Sequence, residues 1–226
     1  MSPEEERNKS MISMFKRPCI HFDVAKHDEY QDDCQRLLDW LKANLGQDPP
    51  LGSVKLSGFA RYGNTLEDHD KTAQAQNSLY IRGVWFERED YKHFLARIPG
   101  LSGFLETAIK KASEEVEDKL KPIWVHALRQ GPNLQTATSF GVHTDNDGQD
   151  CSQAAWTIIV KLTQDDPQLP ASQMHILGLP VISYPSHRGS AVAFPSSLYH
   201  SSVKAKQECI KVVIKCARIT QKRNRS

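Results

Sequence analysis

The segment Phe140-Gly-Val-His143-Thr-Asp145 sets an imidazole and a carboxylate two residues apart at the end of an apolar run. Residues i and i+2 of a strand point to one face, so His143 and Asp145 can share a cavity if the strand persists to Asp145. His-x-Asp alone is a weak signal, because the chain has 9 histidines and a second copy, His21-Phe-Asp23. No later segment pairs convincingly with that copy, and it reads as structural. His27, His69, His93, His175 and His187 read as surface or structural residues.

A second segment raises the weight of the first. Gly189-Ser-Ala-Val-Ala-Phe194-Pro-Ser-Ser-Leu-Tyr-His200 runs as a turn, an apolar strand, a Pro-Ser break and a histidine at the start of another strand. Two imidazoles and one carboxylate form the facial triad of non-haem Fe(II) sites. Three positions then stay open, two for a chelating 2-oxo acid and one for O2. A bound 2-oxo diacid leaves its far carboxylate pointing into the fold, where it needs a buried cation. The apolar run Ile210–Arg218 carries three cations, with Lys211 and Lys215 on one strand face and Arg218 on the other. Lys211 is the first choice for that carboxylate and Arg218 the second.

With these pieces in place, residues 122–219 resemble the Fe(II)/2-oxoglutarate-dependent dioxygenase superfamily. The most specific part is G-S-A-V-A-F-P-S-S-L-Y-H, which is similar to the G-x-x-x-x-F-P-S-x-x-x-H segment of the prolyl-hydroxylase-like branch. The resemblance implies a double-stranded β-helix (jelly roll) with helices packed on one sheet. It implies His143, Asp145 and His200 as iron ligands, a lysine for the 2-oxoglutarate carboxylate, O2 as oxidant and ascorbate as a reductant. It also implies decarboxylation of 2-oxoglutarate to succinate with hydrogen abstraction from a substrate. Where many members carry Arg-x-Ser or Arg-x-Thr, this chain has Lys211 and Val213. The second hydrogen bond to 2-oxoglutarate must then come from elsewhere, with Tyr80, Trp124, His126 and Thr157 as candidates. The carboxylate of Asp145 favours hydroxylation, desaturation or oxidative cyclisation over halogenation, which needs a small residue there.

The elements that position these residues follow from periodicity. Cys34, Leu37, Leu38, Leu41 and Leu45 recur at helical spacing over about 28–45, and Gly46 is placed to end that helix. A second helical region spans about 87–119, broken at Pro99-Gly100. Residues 54–62 and 78–86 read as short β-like pieces. After Pro122 the chain reads as strands separated by turns: IWVHALR, FGVH, WTIIVKL, MHIL, VISY, SAVAF and IKVVIKCARI. The expected class is therefore mainly β with N-terminal helices (α+β). The expected organisation is a disordered arm at 1–16, one domain at 17–219 (helix-rich support 17–121, jelly-roll core 122–219) and a basic tail at 220–226.

Composition bounds the function classes. The 226 residues are 39% hydrophobic and 25% charged, with a net charge of +2, too small to argue for nucleic acid. No apolar run is long enough for a membrane helix. The 5 cysteines include no C-x-x-C, which points to a reducing, cytoplasmic or nuclear, compartment and leaves the oligomeric state open. The first reading is an oxygenase of a small molecule such as an amino acid or secondary-metabolite precursor, with Arg129, Gln130, Asn146 and Asp147 as substrate contacts. The alternatives are a prolyl-type hydroxylase of protein side chains, a nucleobase oxidase and a non-catalytic metal-binding β-helix module. The tail lacks the R-x-N-x-T-x-R pattern of nucleic-acid demethylases.

Overall fold

Tyr30, Cys34, Leu37, Leu38 and Leu41 all lie on one face of helix α1 (Asp28–Asn44), and all are buried. In the computed structural model, which describes residues 19–24, 28–45, 78–81, 86, 91–131, 142–147, 151–171, 173–184, 187–203 and 205–219, that stripe meets a second one. Helix α3 (Leu101–Glu115) buries Leu101, Phe104, Leu105, Ala108, Ile109 and Ala112. The rings of Tyr30 and Phe104 join the two helices, 5.7 Å apart. Between them in sequence the described residues include a turn-and-a-half, α2 (Tyr91–Leu95). Each large apolar side chain removed from water here contributes about 1.5–3 kcal/mol, so the shared stripe, not helix propensity, holds the pair.

Among the described residues, nine strands make two antiparallel sheets. They are β1 (Ile20–Asp23), β2 (Ser78–Ile81), β3 (Leu120–Gln130), β4 (Trp156–Lys161), β5 (Gln173–Ile176), β6 (Ile182–Ser183), β7 (Ser190–Pro195), β8 (His200–Ser202) and β9 (Cys209–Arg218). The larger sheet runs β1-β7-β4-β9-β3-β2 and the smaller β6-β5-β8. Strand alternation divides the larger sheet into two faces. Val125, Ala127, Ile158, Val160, Ala191, Ala193, Val212 and Ile214 pack with the helices in one core. Ile159, Val192 and Phe194 turn the other way and pack with Met174, Ile176 and Tyr184 of the smaller-sheet segment. The continuous apolar runs of β4, β7 and β9 have this cause, since both of their faces are covered.

The expectation of helices first, packed on one face of a mainly β fold, agrees with this arrangement. The strand β1 is the main addition. His21-Phe-Asp23 lies on it, at the edge of the larger sheet, with Asp23 paired to His187 at 3.3 Å. Conversely, the run at His143 is not a strand that persists to Asp145. His143 makes an isolated bridge and Asp145 already sits in a turn. The arm at 1–16, the β-like piece at 54–62 and the tail at 220–226 lie outside the described residues.

Candidate metal centre

His143 and His200 form a reciprocal backbone pair, His143 N–H to His200 C=O at 3.0 Å and His200 N–H to His143 C=O at 2.9 Å. Residues directly opposite in an antiparallel pair project to the same side, which brings the two ring centres to 4.4 Å, tilted at 50°. The Pro195-Ser196 break explains the third residue. The turn after β7 leaves the Ser196 carbonyl to accept from the Asp145 N–H at 2.8 Å, so the chain beyond His143 is latched there rather than in a ladder. One ligand atom from each of His143, Asp145 and His200 lies within 4.8 Å of the others. No other such group of three occurs among the described residues.

The surroundings orient these side chains. The Nδ1 of His200 lies 3.0 Å from the Leu198 carbonyl, a contact that puts its proton on Nδ1 and leaves the Nε2 lone pair to a metal. Phe194 packs edge-on against the same ring, with centroids 4.8 Å apart. The Thr157 hydroxyl donates to Asp145 Oδ2 at 2.8 Å and lies 2.9 Å from the Ser196 hydroxyl. The Lys215 ammonium lies 3.0 Å from Asp145 Oδ1. Burial opposes the charge on Asp145, but the neighbouring His200 ring and the Lys215 ammonium outweigh it and hold the carboxyl well below its usual range. His143 is the open side of the group, its side chain 37% exposed against 5% for Asp145. Two imidazoles and an ionised carboxylate, with ligand atoms within 4.8 Å of one another, fit a divalent transition metal.

The same interior carries the cations. Lys211, Val213 and Lys215 alternate along the inner face of β9, opposite Leu128, His126 and Trp124 on β3. Lys211 is buried, its ammonium 5.7 Å from the centre of the Tyr184 ring. Burial pushes its pKa down. Its ladder neighbour Lys161 is also buried but has Asp165 at 2.5 Å. No ion pair to Lys211 occurs among the described residues. His126, buried between the two lysines and Asp145, is pushed down to about 3 by burial and then by the Lys215 and Lys211 charges, so its imidazole is neutral.

Several expected contacts fall elsewhere. Arg218 points to the helix side and pairs with Asp118 at 2.5 Å, because strand alternation puts it on the face opposite Lys211. It is not a carboxylate ligand in the interior. Arg129 also alternates outward, bonding the Leu45 carbonyl at 3.2 Å and Glu208 at 3.3 Å, so it ties α1 to the sheet rather than facing a substrate. Thr157 spends its hydroxyl proton on Asp145. Gln130 is buried on the inner face, while Asn146 is half-buried and Asp147 exposed in the turn beyond Asp145. The backbone of Tyr80 pairs with His126, and its side chain lies outside the described residues. Tyr184, Ser196 and the Lys215–Asp145 contact were not anticipated. The even spacing of Lys211 and Lys215 was the only signal for the last.

The sequence matches no protein-family model and no curated protein. The structure is similar to solved ones. AviO1 from Streptomyces viridochromogenes Tue57 aligns with a TM-score of 0.56 over 93% of this chain and 94% of that one, at 12% identity. An oxidoreductase of the 2OG-Fe(II) oxygenase family from Burkholderia pseudomallei aligns with a TM-score of 0.53 over 93% and 89%, at 9% identity. The fold is that of the 2OG-Fe(II) oxygenases. A Pseudomonas putida prolyl-4-hydroxylase aligns similarly, with a TM-score of 0.50 over 94% and 98%, at 12% identity. Coverage is near complete in both directions.

Proposed function

We propose that this chain is an Fe(II)- and 2-oxoglutarate-dependent oxygenase on a double-stranded β-helix, acting on a small organic substrate. The observation that carries the reading is the placing of two features on one face of the larger sheet: the His143, Asp145 and His200 group, touched by Lys215 of β9, and the buried Lys211 four residues along the same face of β9. A metal at the first and a dicarboxylate reaching the second account for both. His143, Asp145 and His200 would hold the iron, and Lys211 would bind the far carboxylate. Bound iron with 2-oxoglutarate supplies the reduction of O2 coupled to decarboxylation, giving succinate, carbon dioxide and an oxidised substrate C–H bond. The protein's part is positional. Leu198 fixes the His200 tautomer, Thr157 and Ser196 fix Asp145, and the Phe194–Ile159–Val192 wall keeps water from the interior.

Succinate release with Fe(II), 2-oxoglutarate and O2 tests this directly, and His143→Ala should abolish it. Lys211→Met should weaken 2-oxoglutarate binding about a hundredfold, as removal of one partner of a buried charge pair does. An absence of metal-dependent 2-oxoglutarate binding would sink the reading. An untargeted metabolite screen for oxygen-dependent mass shifts then finds the substrate. A prolyl-type protein hydroxylase is the second reading. It is favoured by the exposed Val142, Leu177 and Tyr199, which lie beside the bridge that carries His143 and His200. Peptide turnover with no metabolite shift would select it.

A further inference from the structure

Lys215 has no part in the scheme above, yet it touches the centre of it. Its ammonium is 3.0 Å from Asp145 Oδ1 with the lysine side chain only 16% exposed. Thr157, its register partner across the β4–β9 ladder, holds the other oxygen at 2.8 Å. The two strands thus grip one carboxylate from both sides, and one grip is a full positive charge. That grip keeps Asp145 in place beside His143 and His200. It also sets a cation against any dication that the three residues bind, in surroundings too dry to screen the repulsion well. The neutral His126 next to it adds no compensating charge. An anion arriving at the metal would relieve the repulsion, because the ammonium could then share it.

We propose that Lys215 is a positioning residue that makes metal retention conditional on an anionic co-ligand: the metal alone is held weakly, and the metal with 2-oxoglutarate is held tightly. The proposal rests on the reading of the site as a metal and 2-oxoglutarate centre. Chelation by a 2-oxo acid strengthens metal binding at any such site. Lys215 adds to that coupling a part that depends on its charge, and by linkage the part appears equally in the affinity for 2-oxoglutarate.

The test is a titration with Mn2+, followed by the loss of its free-ion paramagnetic resonance signal, with and without 2-oxoglutarate. It compares the wild-type chain with Lys215→Met, Lys215→Arg and His143→Ala. Lys215→Met should bind Mn2+ alone about tenfold more tightly than wild type and should lose a similar factor of the enhancement by 2-oxoglutarate. Lys215→Arg, which keeps the charge, should behave as wild type. A structural role alone would leave the enhancement unchanged. Mn2+ affinity equal to or below wild type in Lys215→Met, or an undiminished enhancement, would overturn the proposal. If circular dichroism shows that Lys215→Met does not fold, Lys215→Gln carries the same expectations. A wild-type chain that binds Mn2+ with no response to 2-oxoglutarate defeats the functional reading and the proposal together. A normal wild-type response with an indifferent Lys215→Met defeats only the role of Lys215.

Discussion

His126 shows how the chemistry of one side chain reaches stability. Its imidazole is buried and held neutral, with a pKa pushed down to about 3 from 6.5. The unfolded chain therefore binds a proton below pH 6.5 that the folded chain refuses. Acid then favours unfolding, and stability is lost progressively as pH falls from 6.5 towards 3. The contribution reaches about 1.4 kcal/mol per pH unit at most. Chemical denaturation of the metal-free chain between pH 6.5 and 4.5 measures it, and His126→Gln should flatten the slope. Asp145 adds the same sign only at lower pH, since its depressed carboxyl begins to separate from the unfolded value of 3.8 there. The pH window thus separates the two groups. A slope in His126→Gln equal to wild type would show that the imidazole is not held neutral.

At the scale of elements, the site depends on turns and alternation more than on strand length. The Pro195-Ser196 turn latches Asp145, and a single bridge aligns the two histidines. The helix layer has its own constraint. Gly100, the N-cap of α3, has φ +78, and a Cβ there would collide with the Asp33 carbonyl of α1. Gly100→Ala should cost about 2–4 kcal/mol through backbone strain and separation of the helices. Urea unfolding at neutral pH checks this. The helices cover the sheet face opposite the metal group, so the folded variant should keep wild-type Mn2+ affinity. A variant as stable as wild type would mean that α1 and α3 do not approach so closely at that point.

Across the whole molecule, a ligand that binds only the assembled interior must stabilise the fold. His143 and Asp145 come from one segment of the chain and His200 from another, and they meet only when the strands that carry them are in place. Mn2+ with 2-oxoglutarate at a hundred times its dissociation constant should contribute about 2.7 kcal/mol, or about 5–10 °C in melting temperature for a chain of this size. Thermal denaturation should show that shift in wild type and lose it in His143→Ala or after chelation. The parts of this arrangement that the sequence determines by itself are those set by local pattern. The helical stripe at Cys34–Leu45, the strand runs of β4, β7 and β9, the His-x-Asp and the break before His200 are all periodic or chemical features of short segments. Face alternation within β9 also separated Lys211 and Lys215 from Arg218 correctly. It did not say which face looked inward, and so Arg218 stands second to Lys211 on the sequence alone. Only the tertiary structure decided that His143, Asp145 and His200 meet while His21 and Asp23 gain one histidine at a sheet edge. It also decided that Lys215 reaches Asp145 and that Lys211 stays buried beside a paired Lys161. The physical reason is that a strand's periodicity is local, whereas the distance between two side chains from different strands is fixed by register and by the turn that sets it. Asp145 reaches the centre through a backbone bond to Ser196, a partner that no spacing rule names.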